Sequence, residues 1–278
     1  MSLTGLPKLL ARLWVGSAVA AAVLTILSGA AYINWSLSNL VLRRQALDVT
    51  QATTTPSGAI IALNNWVYSH RGFAKNKSYF IVKALGPTPV QVLQSGGDCS
   101  DKSRLLSAML YQVGISSGLV MIYPCANCSP IHTVVEAEYE KGRMIVDPIW
   151  NIDYPAADGH YYGARELART SLGRERLRRL KAESIPSAKI IAMPETEATF
   201  DYARSINWNK NAALRAGAAA LRSIGVDPAL MLRPRILEDP ELMIAVVLII
   251  PAIALFTMAA VLYRAPPKAA VKAVQSPD

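Results

Sequence analysis

Gly96-Gly97-Asp98-Cys99-Ser100-Asp101-Lys102-Ser103-Arg104-Leu105-Leu106, GGDCSDKSRLL, is the stretch on which the reading of this chain turns. The paired glycines break the backbone, Asp98 is a helix cap, and Leu105-Leu106 open an apolar face continued by Met109, Leu110 and Val113. Gly114 ends the helix. Cys99 therefore falls in the first helical turn, where unpaired N–H groups and the positive dipole end favour a thiolate. A cysteine is equally a small buried filler, half of a disulfide or a metal ligand. Its neighbours in the chain must decide.

Upstream, Thr88 and Pro89 start a short helical turn, PVQVLQS, and Ala59–His70 has helical spacing in Ile60, Leu63 and Val67. Gly72 stops that helix, Thr53–Gly58 reads as a linker and helix start, and Ser78–Val82, SYFIV, reads as a short strand. Downstream of Gly118 the period changes to that of strands. Leu119–Tyr123, Thr133–Tyr139 and Arg143–Val146 are expected strands, the last two joined by the hairpin signal Glu140-Lys141-Gly142.

A thiol nucleophile needs a base, and the base needs an orienting partner. The chain has three histidines, His70, His132 and His160. His132 begins one strand of the hairpin and Asp147 ends the other. A four-residue loop would pair Asp147 with Val134, beside His132 on the same face. Asp147 then accepts one ring N–H of His132 and leaves the second nitrogen for the thiol.

The rest of the chain is organised around membrane-like segments. The 278 residues are 52% hydrophobic with a formal charge of +9. Leu13–Ile33 and Leu242–Leu262 each run uncharged for 21 residues, enough at about 1.5 Å per residue to cross a hydrocarbon core of about 30 Å. A cleaved signal peptide is the alternative for the first, but its apolar run is longer than a signal core of about 7–15 residues. Trp14, Trp35 and Tyr263 stand near the ends, as interfacial rings do. Lys8 and Arg12 before the first span, and Arg264, Lys268 and Lys272 after the second, place both termini in the cytoplasm.

The expected order is a cytoplasmic tip (1–12), a first span (13–35), a linker (36–57) and a core (58–160). A basic helical membrane-proximal region (161–240), a second span (241–263) and a cytoplasmic tail (264–278) follow. Ser36–Asp48 keeps an apolar rhythm that prolongs the first helix. Within 161–240, Gly163–Glu183 carries seven arginines or lysines against three glutamates, and Ala198–Ile224 is a second helical stretch. The basic run 165–181 suits anionic lipid or an acidic polysaccharide. Nucleic acid is not an expected partner of a chain outside the cytoplasm.

GGDCSDKSRLLSAMLYQVGI followed by HTVVEAEYEKGRMIVDP resembles the core of the transglutaminase-like superfamily, which has the papain-like fold. The matching positions are Gly97, Cys99, Gly114, Ile115, His132, Asp147 and Pro148, and the helix bearing Trp66 fits the layout. The resemblance spans about Ala59 to Pro155. Val134 departs from it, since the family often has an aromatic residue there.

The resemblance implies an α+β fold, with the Cys99 helix packed on an antiparallel sheet, and with the two apolar spans it suggests a membrane-anchored bacterial-type enzyme. Its core would face the periplasm from the inner membrane. It implies acyl transfer on a protein or peptide substrate through a Cys99 thioester, with His132 as acid–base and Asp147 as orienter. Gln94 is a candidate oxyanion donor beside the Cys99 backbone N–H. No cofactor and no metal are expected.

Two other chemistries compete for the cysteines. Cys125, Cys128 and His132 have the spacing C-x2-C-x3-H, to which Cys99 could add a fourth zinc ligand. The pair Cys125-x-x-Cys128 otherwise forms a disulfide bracing the loop before His132, in preference to a redox-active motif, which normally opens a helix. A non-catalytic envelope scaffold, associated with export or polysaccharide assembly, is the alternative to an enzyme.

Overall fold

The structure, a computed structural model, describes residues 6–73, 79–125, 128–169, 199–208, 211–228, 231 and 233–264. The chain divides into two units, one of residues 37–240 and one of residues 1–36 with 241–278.

Unit 37–240 holds a five-stranded sheet in the order β4-β3-β2-β1-β5, antiparallel throughout. The strands are β1 (Ser117–Tyr123), β2 (His132–Tyr139), β3 (Gly142–Asp147), β4 (Ile152–Asp153) and β5 (Thr199–Arg204). Helices α2 (Pro56–Ser69), α3 (Pro89–Ser95) and α4 (Cys99–Gln112) pack with one sheet face, and α5 (Ala164–Arg169) with the other. Strand alternation sorts the two cores. Leu119, Val135, Ala137, Met144 and Val146 meet the helical face of Leu105, Leu106, Met109 and Leu110. Val120, Ile122, Val134, Ile145 and Ile152 join Leu167 and Phe200 on the opposite side. Full burial of each such side chain contributes about 1.5–3 kcal/mol, which makes α4 a firmly anchored element.

The helix starts have chemical causes. Thr55 caps α2, and Thr88 caps α3 in a reciprocal box with Gln91. Asp98 caps α4 by accepting from the Ser100 and Asp101 N–H groups, while Asp101 accepts from the Asp98 N–H. Gly97 is required there, because a Cβ would stand 2.4 Å from Cβ of Asp101. The β2–β3 hairpin pairs Tyr139 with Gly142 and Val135 with Val146. This is the register that sets Asp147 opposite Val134, reached with two residues between the paired ends.

Two expectations are corrected. Tyr79–Val82 is not a strand. It is an irregular segment with Ile81 at φ 59° and exposed, followed by a 3₁₀ turn, Lys83–Leu85. Among the described residues no strand edge pairs with it. Within 36–57, α1 continues through Leu6–Thr50, as the apolar rhythm of Ser36–Asp48 predicts, and buries Leu42 and Ala46 in the core of unit 37–240. The expected helix over Ala198–Ile224 begins instead with β5, which pairs with β1, and only then forms α6 (Ala212–Ser223). In the basic stretch the described helix is α5 alone, and 170–198 lies outside the described residues.

The other unit holds the first part of α1 with α7 (Pro240–Arg264). Both helices are long and apolar enough to cross a membrane. They lie antiparallel: the Trp14 ring meets Tyr263 at one end, and Asn34 donates to Glu241 at the other. Between them Ser28 donates to the Ala245 carbonyl at 2.7 Å. Small residues make the seam, with Ser17, Ala21 and Ser28 buried on α1 and Ala245, Ala252 and Ala259 on α7.

Candidate active site

Cys99 is the first residue of α4 and is half-buried with a free thiol. Two polar side chains within the next turn or so fix it in place. Ser103, fully buried, donates to the Thr133 carbonyl at 2.9 Å and so ties α4 to β2 beside His132. Lys102, also buried, donates to the carbonyls of Val67 and Tyr68 at 2.8 and 2.9 Å, near the end of α2. Burial lowers the Lys102 ammonium to about 8. Asp101, beneath the cap, is raised to about 6 by burial and by its neighbour Asp98, with Arg104 opposing.

His132 opens β2 and Asp147 closes β3, so antiparallel pairing brings them to the same end of the sheet. Nε2 of His132 donates to Oδ2 of Asp147 at 2.6 Å. The other carboxylate oxygen accepts from the backbone N–H groups of Ile149 and Trp150, at 2.8 and 3.3 Å. Asp147 is thus oriented from both sides, in a site where it and His132 are 0% and 2% exposed. The turn that supplies those N–H groups ends at Asn151, φ 51°, which accepts from Asn64 of α2 at 3.1 Å.

Nδ1 of His132 is buried and makes no hydrogen bond of good geometry among the described residues. Burial alone would lower the His132 pKa. The Asp147 charge and hydrogen bond outweigh it, the Cys99 side chain adds to them, and the ring is raised to about 10. The structure thus shows a cysteine at a helix start and a buried, hydrogen-bonded His132–Asp147 pair at neighbouring strand ends.

Cys125 and Cys128 are joined to each other, S–S 2.04 Å, in the loop between β1 and β2. That bond takes both sulfurs away from the C-x2-C-x3-H spacing, and His132 is engaged with Asp147, so the zinc reading loses its ligands. Gln94 is exposed on α3, ahead of the Gly96-Gly97 corner. His70 lies elsewhere, stacked on Trp66 with Nε2 donating to the Leu93 carbonyl at 2.7 Å. His160 pairs with Asp158 in a surface loop. Sequence reading did not single out Lys102, Ser103 or Asn64. Their signal was a polar residue on a helix face that is otherwise apolar.

A cysteine-bearing helix packed on an antiparallel sheet, whose strand ends carry His and Asp, defines a transglutaminase-like fold. Residues 43–148 match the model of the Transglutaminase-like superfamily. Two solved structures are similar over part of their length. A "putative cysteine protease" from Cytophaga hutchinsonii is 16% identical, TM-score 0.34, over 40% of this chain and 37% of that one. A "putative protease" from Parabacteroides distasonis is 14% identical, TM-score 0.30, over 51% of this chain and 30% of that one. The chain thus spans well under half the length of either. No curated protein matches it.

Proposed function

We propose that this protein is a membrane-anchored cysteine acyl-transfer enzyme acting on amide or peptide bonds in the cell envelope. The observation that carries the proposal is the sealed His132–Asp147 pair, which leaves one ring nitrogen for the Cys99 thiol. In this reading the Cys99 thiolate attacks the carbonyl of a protein or peptide substrate. The proton given up by the thiol is held on His132 Nδ1, which then protonates the leaving amine. Water or a second amine takes the acyl group from the thioester. Asp147 holds the ring in the tautomer that presents Nδ1 and offsets the imidazolium charge. The Cys99 backbone N–H, unpaired at the start of α4, is the first oxyanion donor, and Gln94 the candidate side-chain donor.

The two apolar helices, antiparallel in their own unit, support anchoring with both termini on one side. The basic ends at Lys8, Arg12, Lys268 and Lys272 favour a cytoplasmic side for the termini and a periplasmic side for the domain, at a bacterial inner membrane. Contact of 165–181 with anionic lipid or polysaccharide belongs to the same proposal.

The test is labelling by an electrophilic thiol probe in the native full-length protein. Rapid labelling at Cys99, largely lost in His132→Ala, is the expected result. Equal labelling of wild type, His132→Ala and unfolded protein would reduce the chain to a non-catalytic scaffold.

A further inference from the structure

Asp147 pairs with Ile152 across the β3–β4 hairpin, so residues 148–151 form its turn. Pro148 restricts the first angle of that turn, and Asn151 ends it at φ 51°, a region asparagine enters at lower cost than most residues. Between them, the Ile149 and Trp150 N–H groups point at one oxygen of Asp147, while the other oxygen meets His132. The shape of the turn therefore sets the rotation of the carboxylate. A reacting pair keeps its geometry only when the groups behind it are themselves held.

This turn is held from both faces of the sheet. On one face Trp150 packs against the core that contains Leu167 and Phe200. On the other, Asn151 reaches α2 through both ends of its amide. Asn64 Nδ2 donates to Asn151 Oδ1 at 3.1 Å, and Asn151 Nδ2 donates to Asn65 Oδ1 at 3.3 Å. Asn151 is exposed, so the two bonds differ in setting: the partner Asn65 is exposed as well, whereas Asn64 is buried.

Asn64 stands on the apolar face of α2, at helical spacing from the fully buried Ile60 and Val67. Its Oδ1 is buried and has no hydrogen-bond partner among the described residues. An amide there costs the fold free energy that an apolar side chain would not. What it supplies in return is one directional bond, to Asn151.

We propose that Asn151, clamped by Asn64, is a positioning residue for the His132–Asp147 pair: the clamp holds turn 148–151 in the form whose N–H groups fix the carboxylate against the ring. The inference rests on the proposed use of that pair, and it assigns to α2 a task in the site besides packing. Asn64 and Asn151 act through Asp147 and touch no reacting atom.

The test reads the ring itself. Full-length protein labelled with ¹⁵N-histidine is titrated by NMR, and the His132 signal is identified by its loss in His132→Ala. The groups that raise His132 are Asp147 of β3 and Cys99 at the start of α4, and neither is changed in the variants. Asn151→Gly keeps access to the positive φ and loses the clamp; Asn64→Ala leaves the turn sequence intact and removes the clamp from the other side. In each, the His132 midpoint should fall by about one pH unit or more, a tenfold weaker hold on the proton. The double variant should fall no further than the larger single effect, because both act through one bond. If Asn64→Ala does not fold, Asn151→Gly at its exposed position decides alone. A fall in the midpoint supports the inference even if wild-type Cys99 shows no activated labelling, a result that would overturn the proposed function instead. An unchanged midpoint in folded Asn151→Gly, or additive falls in the double variant, would overturn the inference whatever the thiol does.

Discussion

Asp147 meets His132 at 2.6 Å in a site closed to water, and its second oxygen is held by the two N–H groups of the turn that follows. The carboxylate therefore cannot rotate away from the ring without losing two backbone hydrogen bonds. Asn at 147 would keep the shape of the pair but remove the charge, and its NH₂ group would face the wrong ring tautomer. Asp147→Asn should lower the Cys99 labelling rate about a hundredfold or more while leaving the fold in place. Near wild-type labelling in a folded Asp147→Asn protein would remove Asp147 from the site.

The same pair makes stability depend on pH in a defined direction. In the fold His132 holds its proton up to about pH 10, whereas an unfolded histidine releases it near about pH 6.5. The stabilisation is complete below about pH 6.5 and is lost progressively as the pH rises towards about 10. The melting temperature of wild type should fall across that window. In His132→Ala this part of the slope should disappear; a slope that survives the substitution belongs to another group.

Gly97 has one structural task, to let the capping box close over the start of α4. Alanine there would drive its Cβ into Asp101, which in turn holds the Asp98 N–H. Gly97→Ala should cost about 1–3 kcal/mol, the loss of a cap with local repacking. It should also slow Cys99 labelling, because the displaced turn carries the thiol. Chemical denaturation and labelling on the same variant separate the two effects: stability lost with labelling unchanged would show that the cap does not aim the nucleophile.

Much of this site is legible in the sequence because its signals are local. Asp98 with Asp101 announces a helix start, Gly114 a helix stop, and Gly142 a tight hairpin whose register follows from counting. What was not legible depends on partners distant in the chain. Thr199–Arg204 becomes a strand only because β1 offers it an edge, and the alanine-rich run after it read as helix throughout. The apolar Tyr79–Val82 has strand composition but joins no edge among the described residues. Lys102 and Ser103 stand as polar residues on the apolar face of α4, and only the packed fold shows that their partners, the Val67, Tyr68 and Thr133 carbonyls, lie in other elements.

Lys102 offers the sharpest test of that hidden framework. Its ammonium joins α4 to the carbonyls near the end of α2, and it lies three positions after Cys99 on the same helix. Methionine fills a similar volume but donates nothing, so both carbonyls would lose a buried partner. Lys102→Met should destabilise the domain by about 1–3 kcal/mol. Because burial lowers the lysine to about 8, neutral Lys102 still donates, and the wild-type bond should survive mildly alkaline pH. Hydrogen exchange at the end of α2 is the direct readout: faster exchange in Lys102→Met is expected there, and unchanged exchange would mean that α2 is held by its apolar face alone.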